Sequence, residues 1–203
     1  MNKKGSLFVF SGPSGVGKGT IMRNFIATDP NSFISVSATT RRPRPGEEDG
    51  VHYYFMTEAE FVRLAESGGM LEYANFSGNY YGTPKGPVYE KLEEGKNVFL
   101  EIEVQGAAKI KQLCPEAIFI FVMPPDMHEL TRRLVDRNTE DQHTIEVRLS
   151  NAKREIEQAK NYDYIIVNHT IEEAVNDLTA IVRSAKCTYD HMKNFINEVL
   201  NDA

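Results

Sequence analysis

Directly after the apolar run Leu7–Phe10 the chain reads Ser11 and then Gly12-Pro13-Ser14-Gly15-Val16-Gly17-Lys18-Gly19-Thr20, and an amphipathic stretch follows. Closely spaced glycines let consecutive backbone N–H groups curl around phosphate oxygens, and a helix leaving the loop adds its positive end. A lysine at Lys18 reaches the outer phosphates of a bound nucleotide. Such a loop works only between a buried strand and a helix, so an α/β fold and a nucleotide phosphate site are expected together. The residue after the lysine is Gly19, with Thr20 one step later. The hydroxyl that binds magnesium in most such loops is therefore displaced by one position.

The rest of the chain carries the same alternation. Val98–Ile102, 117–122 and Tyr164–Val167 are short runs rich in Val, Ile and Phe, a composition that suits buried strands. Between them, Ile21, Met22, Phe25 and Ile26 share one helical face, as do Ile145, Leu149, Ala152, Ile156 and Ala159. The series Ile171, Ala174, Val175, Leu178, Ile181, Val182 and Ala185 starts a long final helix, expected to run to about Leu200. Thr57 with Glu60 and Thr170 with Glu173 have the spacing of capping boxes. Buried strands alternating with amphipathic helices predict a parallel sheet covered on both faces.

Residues 37–88 break that rhythm. They hold Pro43, Pro45, Gly46, Gly50, Gly68, Gly69, Gly78, Gly82 and Pro84, together with Tyr53, Tyr54, Tyr73, Tyr80 and Tyr81. Short strands and tight turns fit this better than a strand and helix, and we read it as an inserted subdomain. Arg41, Arg42 and Arg44 crowd its start, where guanidinium forks and tyrosine hydroxyls make an anion pocket. The polar stretch 136–144 separates two helices and reads as a lid.

Four strings in this order resemble guanylate kinase: Ser11–Thr20, the stretch Ser35-Val-Ser-Ala-Thr-Thr-Arg-Arg-Pro-Arg-Pro-Gly-Glu47, Phe76–Thr83, and Phe99-Leu-Glu-Ile-Glu-Val-Gln-Gly106. The similarity runs from the first strand to about Asn168. It implies a P-loop nucleoside monophosphate kinase fold over residues 1–203. The core would be 1–36 and 89–203, the insert at 37–88 an α+β GMP-binding subdomain, and the short lid about 136–150. It also implies transfer of a phosphoryl group from ATP to GMP, with Mg2+.

By that resemblance the loop Gly12–Thr20, Arg133, Arg137 and Asn168 bind ATP. Ser37, Arg41, Arg44, Tyr53, Glu72, Tyr81, Gly82, Thr83 and Glu103 bind GMP, and Lys18, Arg41, Arg137 and Arg148 act in catalysis. Glu72 and Glu103 would face the N1–H and 2-amino donors of guanine, for which a carboxylate is the natural partner. Glu101 and Thr20 are the metal candidates. For Glu101 the alternative is a structural ion pair with Lys18 or an arginine, because a carboxylate in an apolar strand needs a partner. The sequence departs from the family at Asn138, where a glycine is usual, and at His169, where an acidic residue is common.

A phosphate acceptor is already largely ionised near pH 7, so the reaction needs alignment and charge neutralisation more than a general base. The rival reading is a guanylate-kinase-like interaction module, which typically lacks the loop lysine and the arginines. The remaining features point to a cytoplasmic protein. A formal net charge of −6 argues against a nucleic-acid partner. No apolar stretch approaches the roughly 18 residues of a membrane span, and the run Leu7–Phe10 near the start is too short for a signal peptide. Cys114 and Cys187 lie far apart without metal-ligand spacing and read as ordinary thiols. A monomer or a homodimer is expected.

Overall fold

The computed structural model describes residues 5–76, 78–135 and 142–201. The four apolar runs become strands β1 (Leu7–Ser11), β7 (Asn97–Glu101), β8 (Ile118–Met123) and β9 (Tyr164–Val167), each within a residue or so of its predicted bounds. A short fifth strand, β2 (Ser32–Ile34), completes a sheet of order β2-β7-β1-β8-β9 in which every neighbouring pair is parallel. β1 lies between β7 and β8, so the loop that leaves it emerges from the middle of the sheet. That is where ligands bind in open α/β folds, at the carboxyl ends of strands whose connections diverge.

Both faces of the sheet are buried. On one face Phe8, Phe10, Phe99, Ile120 and Val122 meet helix α1 (Lys18–Thr28) and helix α7 (Ile171–Ala185). On the other, Val9, Val98, Leu100 and Phe119 meet α3 (Lys85–Glu93) and α4 (Val104–Leu113). Stacked Phe8 and Phe99, 4.7 Å between centroids, lock β1 to β7 beneath α1.

The second sheet is built from residues 38–84 alone: β3 (Ala38–Thr39), β4 (Tyr54–Phe55), β5 (Met70–Phe76) and β6 (Asn79–Pro84), in the order β4-β3-β6-β5. Helix α2 (Glu58–Glu66) buries Phe61 against it, and Thr57 and Glu60 form the reciprocal capping box that their spacing predicts. At Thr170 one arm forms, the hydroxyl accepting from the Glu173 N–H at 3.2 Å. Helix α5 (Met127–Val135) precedes the predicted lid, α6 (Gln142–Ile156) begins inside it and makes its second part helical, and a 3-10 turn over Glu157–Asn161 leads into β9.

One expectation is corrected. The final helix is two helices, α7 and α8 (Tyr189–Asn201), broken at residues 186–188. The Thr188 hydroxyl turns back to the Ala185 carbonyl at 3.2 Å while its own carbonyl accepts from the Met192 N–H. Threonine competes in this way for backbone partners at helix ends.

Candidate active site

The loop after β1 is held from below and behind. Gly12 passes so close to β8 that a methyl group on it would lie 2.4 Å from the Val122 carbonyl oxygen. Gly17, at φ 100°, turns the chain into α1 in the left-handed region, and a methyl there would strike the Asn168 amide at 2.6 Å. The Lys18 ammonium folds back over the loop and donates to the carbonyls of Gly12 and Pro13. These bonds hold a positive charge above the ring of loop N–H groups.

Arg133 and Asn168 brace this loop. The Asn168 amide donates to the Val16 carbonyl at 2.7 Å, and Arg133 reaches the same carbonyl at 3.2 Å and the Asn168 carbonyl at 3.0 Å. A third edge of the guanidinium bonds Glu129 at 2.8 Å. Both residues therefore sit at the loop, with these donors on protein oxygens. Arg148 lies on α6, half-buried. Arg137 falls outside the described residues, as do Asn138 and the first part of the predicted lid.

A cleft of about 320 Å³ opens beside Lys18, lined by Ile34, Ser35, Ser37, His52, Tyr53, Glu101, Ile102 and Glu103. It joins the carboxyl end of β7 to the second sheet. Burial pushes the Glu101 carboxyl above its ordinary range and the nearby Lys18 charge pulls it back. The ammonium is bonded to loop carbonyls, not paired with Glu101 in the ion pair weighed from sequence. Thr20 stands on the first turn of α1, where Arg23 approaches its hydroxyl at 3.4 Å. Glu103 stands at the N-cap position of α4 without a side-chain capping bond and is exposed in the wall of the cleft.

In the second sheet a cluster of polar and aromatic side chains forms around Arg41. Its guanidinium makes a two-pronged contact with Glu47 at 2.9 and 3.0 Å and also donates to the Arg42 carbonyl. It lies 5.4 Å from the ring centre of Tyr53, whose own ring meets Tyr81 edge-on at 6.1 Å. Tyr81 interacts with the same guanidinium. Burial raises the Tyr53 hydroxyl above its ordinary range, which keeps it a donor. Arg44 joins through its backbone N–H, which donates to Glu47 at 2.7 Å, while its side chain is exposed at the rim.

Glu72 lies on β5, 9% exposed, and accepts from the Thr83 hydroxyl of β6 at 2.8 Å. The two residues face each other directly across the ladder, and buried Gly82 stands next to Thr83, opposite Tyr73. Burial drives the Glu72 carboxyl above its ordinary range, against the opposing effects of Thr83 and the Lys109 charge.

Sequence reading missed several neighbours. Ser35 Oγ is buried and unpartnered among the described residues, in the wall of the cleft. Burial pushes the carboxyl of Glu155, on α6, above its ordinary range, and Lys18 and the Ser14 backbone of the phosphate loop draw it back. Glu47 organises Arg41, yet six residues along a loop is no periodic spacing, so only its place in the arginine motif pointed to it.

Glu47 supports a pH prediction. Hydrogen bonds from Arg41 and from the Arg44 backbone hold its carboxyl down at about 2. A depressed carboxyl stabilises the fold fully above its unfolded value, about 4.3, and loses that contribution as pH falls toward 2. Wild type is therefore expected to be more stable than Glu47→Gln near neutral pH, with the gap closing between pH about 4.3 and 2. Melting curves of both proteins across that range check it; a gap independent of pH contradicts the assignment.

A parallel five-stranded sheet of this order, with a glycine loop and lysine after its central strand and an inserted sheet facing them, defines a P-loop kinase. Residues 4–185 match the family profile described as guanylate kinase. The chain is 48% identical over 196 residues to the guanylate kinase of Clostridioides difficile, covering 97% of this chain and 96% of that one. It is 49% identical over 183 residues to that of Desulfitobacterium hafniense, covering 90% and 92%. The crystal structure of guanylate kinase from Anaplasma phagocytophilum superposes with a TM-score of 0.74 at 35% identity, covering 92% of this chain and 89% of that one. The chain belongs to the guanylate kinase family.

Proposed function

We propose that this chain transfers the γ-phosphoryl group of ATP to GMP, giving ADP and GDP. The observation that carries this reading is the pairing of two anion sites across one cleft. The loop with Lys18 lies on one side, and Arg41 with Tyr53 and Tyr81 on the other. A donor phosphate and an acceptor phosphate held face to face are what in-line phosphoryl transfer needs, because positioning and charge neutralisation supply most of its catalysis.

The loop N–H groups and Lys18 hold the donor phosphates. Arg41 orients the acceptor phosphate, and Arg44 and the Tyr53 and Tyr81 hydroxyls complete its cradle. Glu72, Thr83, Ser37 and Glu103 read the base. Arg137 and Arg148 bring further positive charge from the lid, about 136–150, and Arg133 and Asn168 serve ATP by shaping the loop.

Glu101 and Thr20 fit magnesium, since a carboxylate and a hydroxyl form an oxygen pair suited to a hard cation that arrives with nucleotide phosphates. Held by these two residues, magnesium would supply neutralisation of phosphate charge. Among the described residues no helix is long and apolar enough to cross a membrane, and we place the reaction in the cytoplasm with its nucleotides.

A coupled assay of ATP consumption against GMP, AMP, CMP and UMP tests the reading. Turnover with GMP far above the other three is expected, and equal or absent turnover overturns it. Closure is a second expected result. The insert, 37–88, and the lid both carry arginines assigned to phosphates, so ATP and GMP together should draw them closer by more than about 2 Å. Solution scattering with each nucleotide and with both measures it; one unchanged profile contradicts it.

A further inference from the structure

Gly106 occupies the third position of α4, on the helix's first turn, and is buried. Its backbone is helical and is not among the positive-φ glycines, so no torsion demands a glycine there. Alanine is the better helix former at such a position. Something other than backbone conformation must account for the missing side chain.

That something is Glu72. A methyl group on Gly106 would lie 2.9 Å from Glu72 Oε2 and 3.2 Å from its Cδ. The carboxylate has little room to yield. Its other oxygen accepts from Thr83 at 2.8 Å, and the residue is 9% exposed. The strand cannot easily back away either, because Lys109, one turn further along α4, donates to the carbonyl of Tyr73 beside Glu72. Helix and strand are thus clipped together one turn beyond the space that the absent methyl leaves, and β6 holds the carboxylate through Thr83.

We propose that Gly106 is a positioning residue for the acceptor base, its missing side chain providing the space in which the Glu72 carboxylate is held against Thr83. The proposal rests on the reading that Glu72 recognises GMP. With alanine at 106 the carboxylate must rotate off Thr83, and a displacement of about 1 Å in a substrate-positioning group costs on the order of 100-fold in rate.

The test is a double-mutant cycle of Gly106→Ala and Glu72→Ala, read by melting temperature, with GMP and ATP kinetics for Gly106→Ala. In the wild-type background Gly106→Ala is expected to lower the melting temperature, since overpacking a filled site destabilises. In the Glu72→Ala background the same change should raise it by about 2–4 °C, the helix preference no longer being opposed. Gly106→Ala should lower kcat/KM for GMP by about 100-fold, mainly through KM, with KM for ATP unchanged. A single variant that fails to fold beside a double variant that folds supports the contact equally.

Equal melting shifts in both backgrounds, or GMP kinetics within about threefold of wild type in folded Gly106→Ala, overturn the proposal. Glu72→Gln separates the two failures. Where that variant loses GMP turnover but the melting shifts are additive, the role of Gly106 alone falls. Where it keeps GMP turnover while the shifts are coupled, base recognition by Glu72 fails and takes the proposal with it.

Discussion

Lys18→Ala is expected to remove turnover while leaving a folded protein. The Lys18 ammonium is held over the loop by the carbonyls of Gly12 and Pro13, and the residue opens α1 at the edge of the core without entering it. One positive charge at the transferring phosphoryl group contributes about 10³–10⁵ in rate, judged from arginines that enter such sites. The two lost hydrogen bonds cost about 1–2 kcal/mol together, and for a chain of this size the melting temperature should fall by only a few degrees. Single-turnover kinetics beside circular dichroism measure both effects. Near wild-type turnover in a folded variant would remove this loop from the reaction.

The parts of the molecule that the sequence disclosed are those fixed by local chemistry. The glycine loop was legible because its turn is a local backbone demand, with Gly15 at φ 84° and Gly17 at φ 100°, a region that side chains disfavour. The core strands were legible because a strand buried on both faces admits little but Val, Ile, Leu and Phe, as the run Leu7–Phe10 illustrates. β2 was not, since three residues that include Ser32 carry no period. The break at Lys186–Thr188 was hidden because the apolar series stops there without a glycine or proline to mark it.

The site divides in the same way. Lys18 and Arg41 stand in motifs, and their chemistry showed in their neighbours along the chain. What braces the loop around Lys18 does not. The grip of Arg133 and Asn168 on the Val16 carbonyl is a tertiary fact, the two contacts spanning 117 and 152 positions. Even the resemblance conveyed roles without conveying how each group is oriented. Arg133 is the clearest case, because a residue matched to phosphate clamping has its donors on Glu129, Val16 and Asn168.

Glu72→Gln should separate stability from function. Burial raises the Glu72 carboxyl, so its charged form is the disfavoured one in the folded protein. A group whose folded value lies above its unfolded value stabilises the fold below the unfolded value, and that contribution is lost as pH rises through the folded one. At neutral pH wild type therefore carries a buried charge at a cost, and the neutral amide, which still accepts from Thr83, relieves it. The variant should melt higher than wild type at pH 7, with the advantage shrinking as pH falls through the carboxylate range. GMP turnover should move the other way. Guanine presents N1–H and the 2-amino group as adjacent donors, and the amide sets a donor against one of them and withdraws the charge from the other. Sites built to bond a polar edge discriminate by about 10⁴–10⁵ when a partner is missing, and a loss approaching that scale is expected in kcat/KM for GMP. ATP affinity should hold, because Lys18 and its loop stand on the other side of the cleft. Calorimetry at pH 7 and pH 4, with GMP, AMP and ATP kinetics for both proteins, decides it. A variant that keeps its preference for GMP, or a wild type that phosphorylates AMP as readily, would show that Glu72 does not read the base.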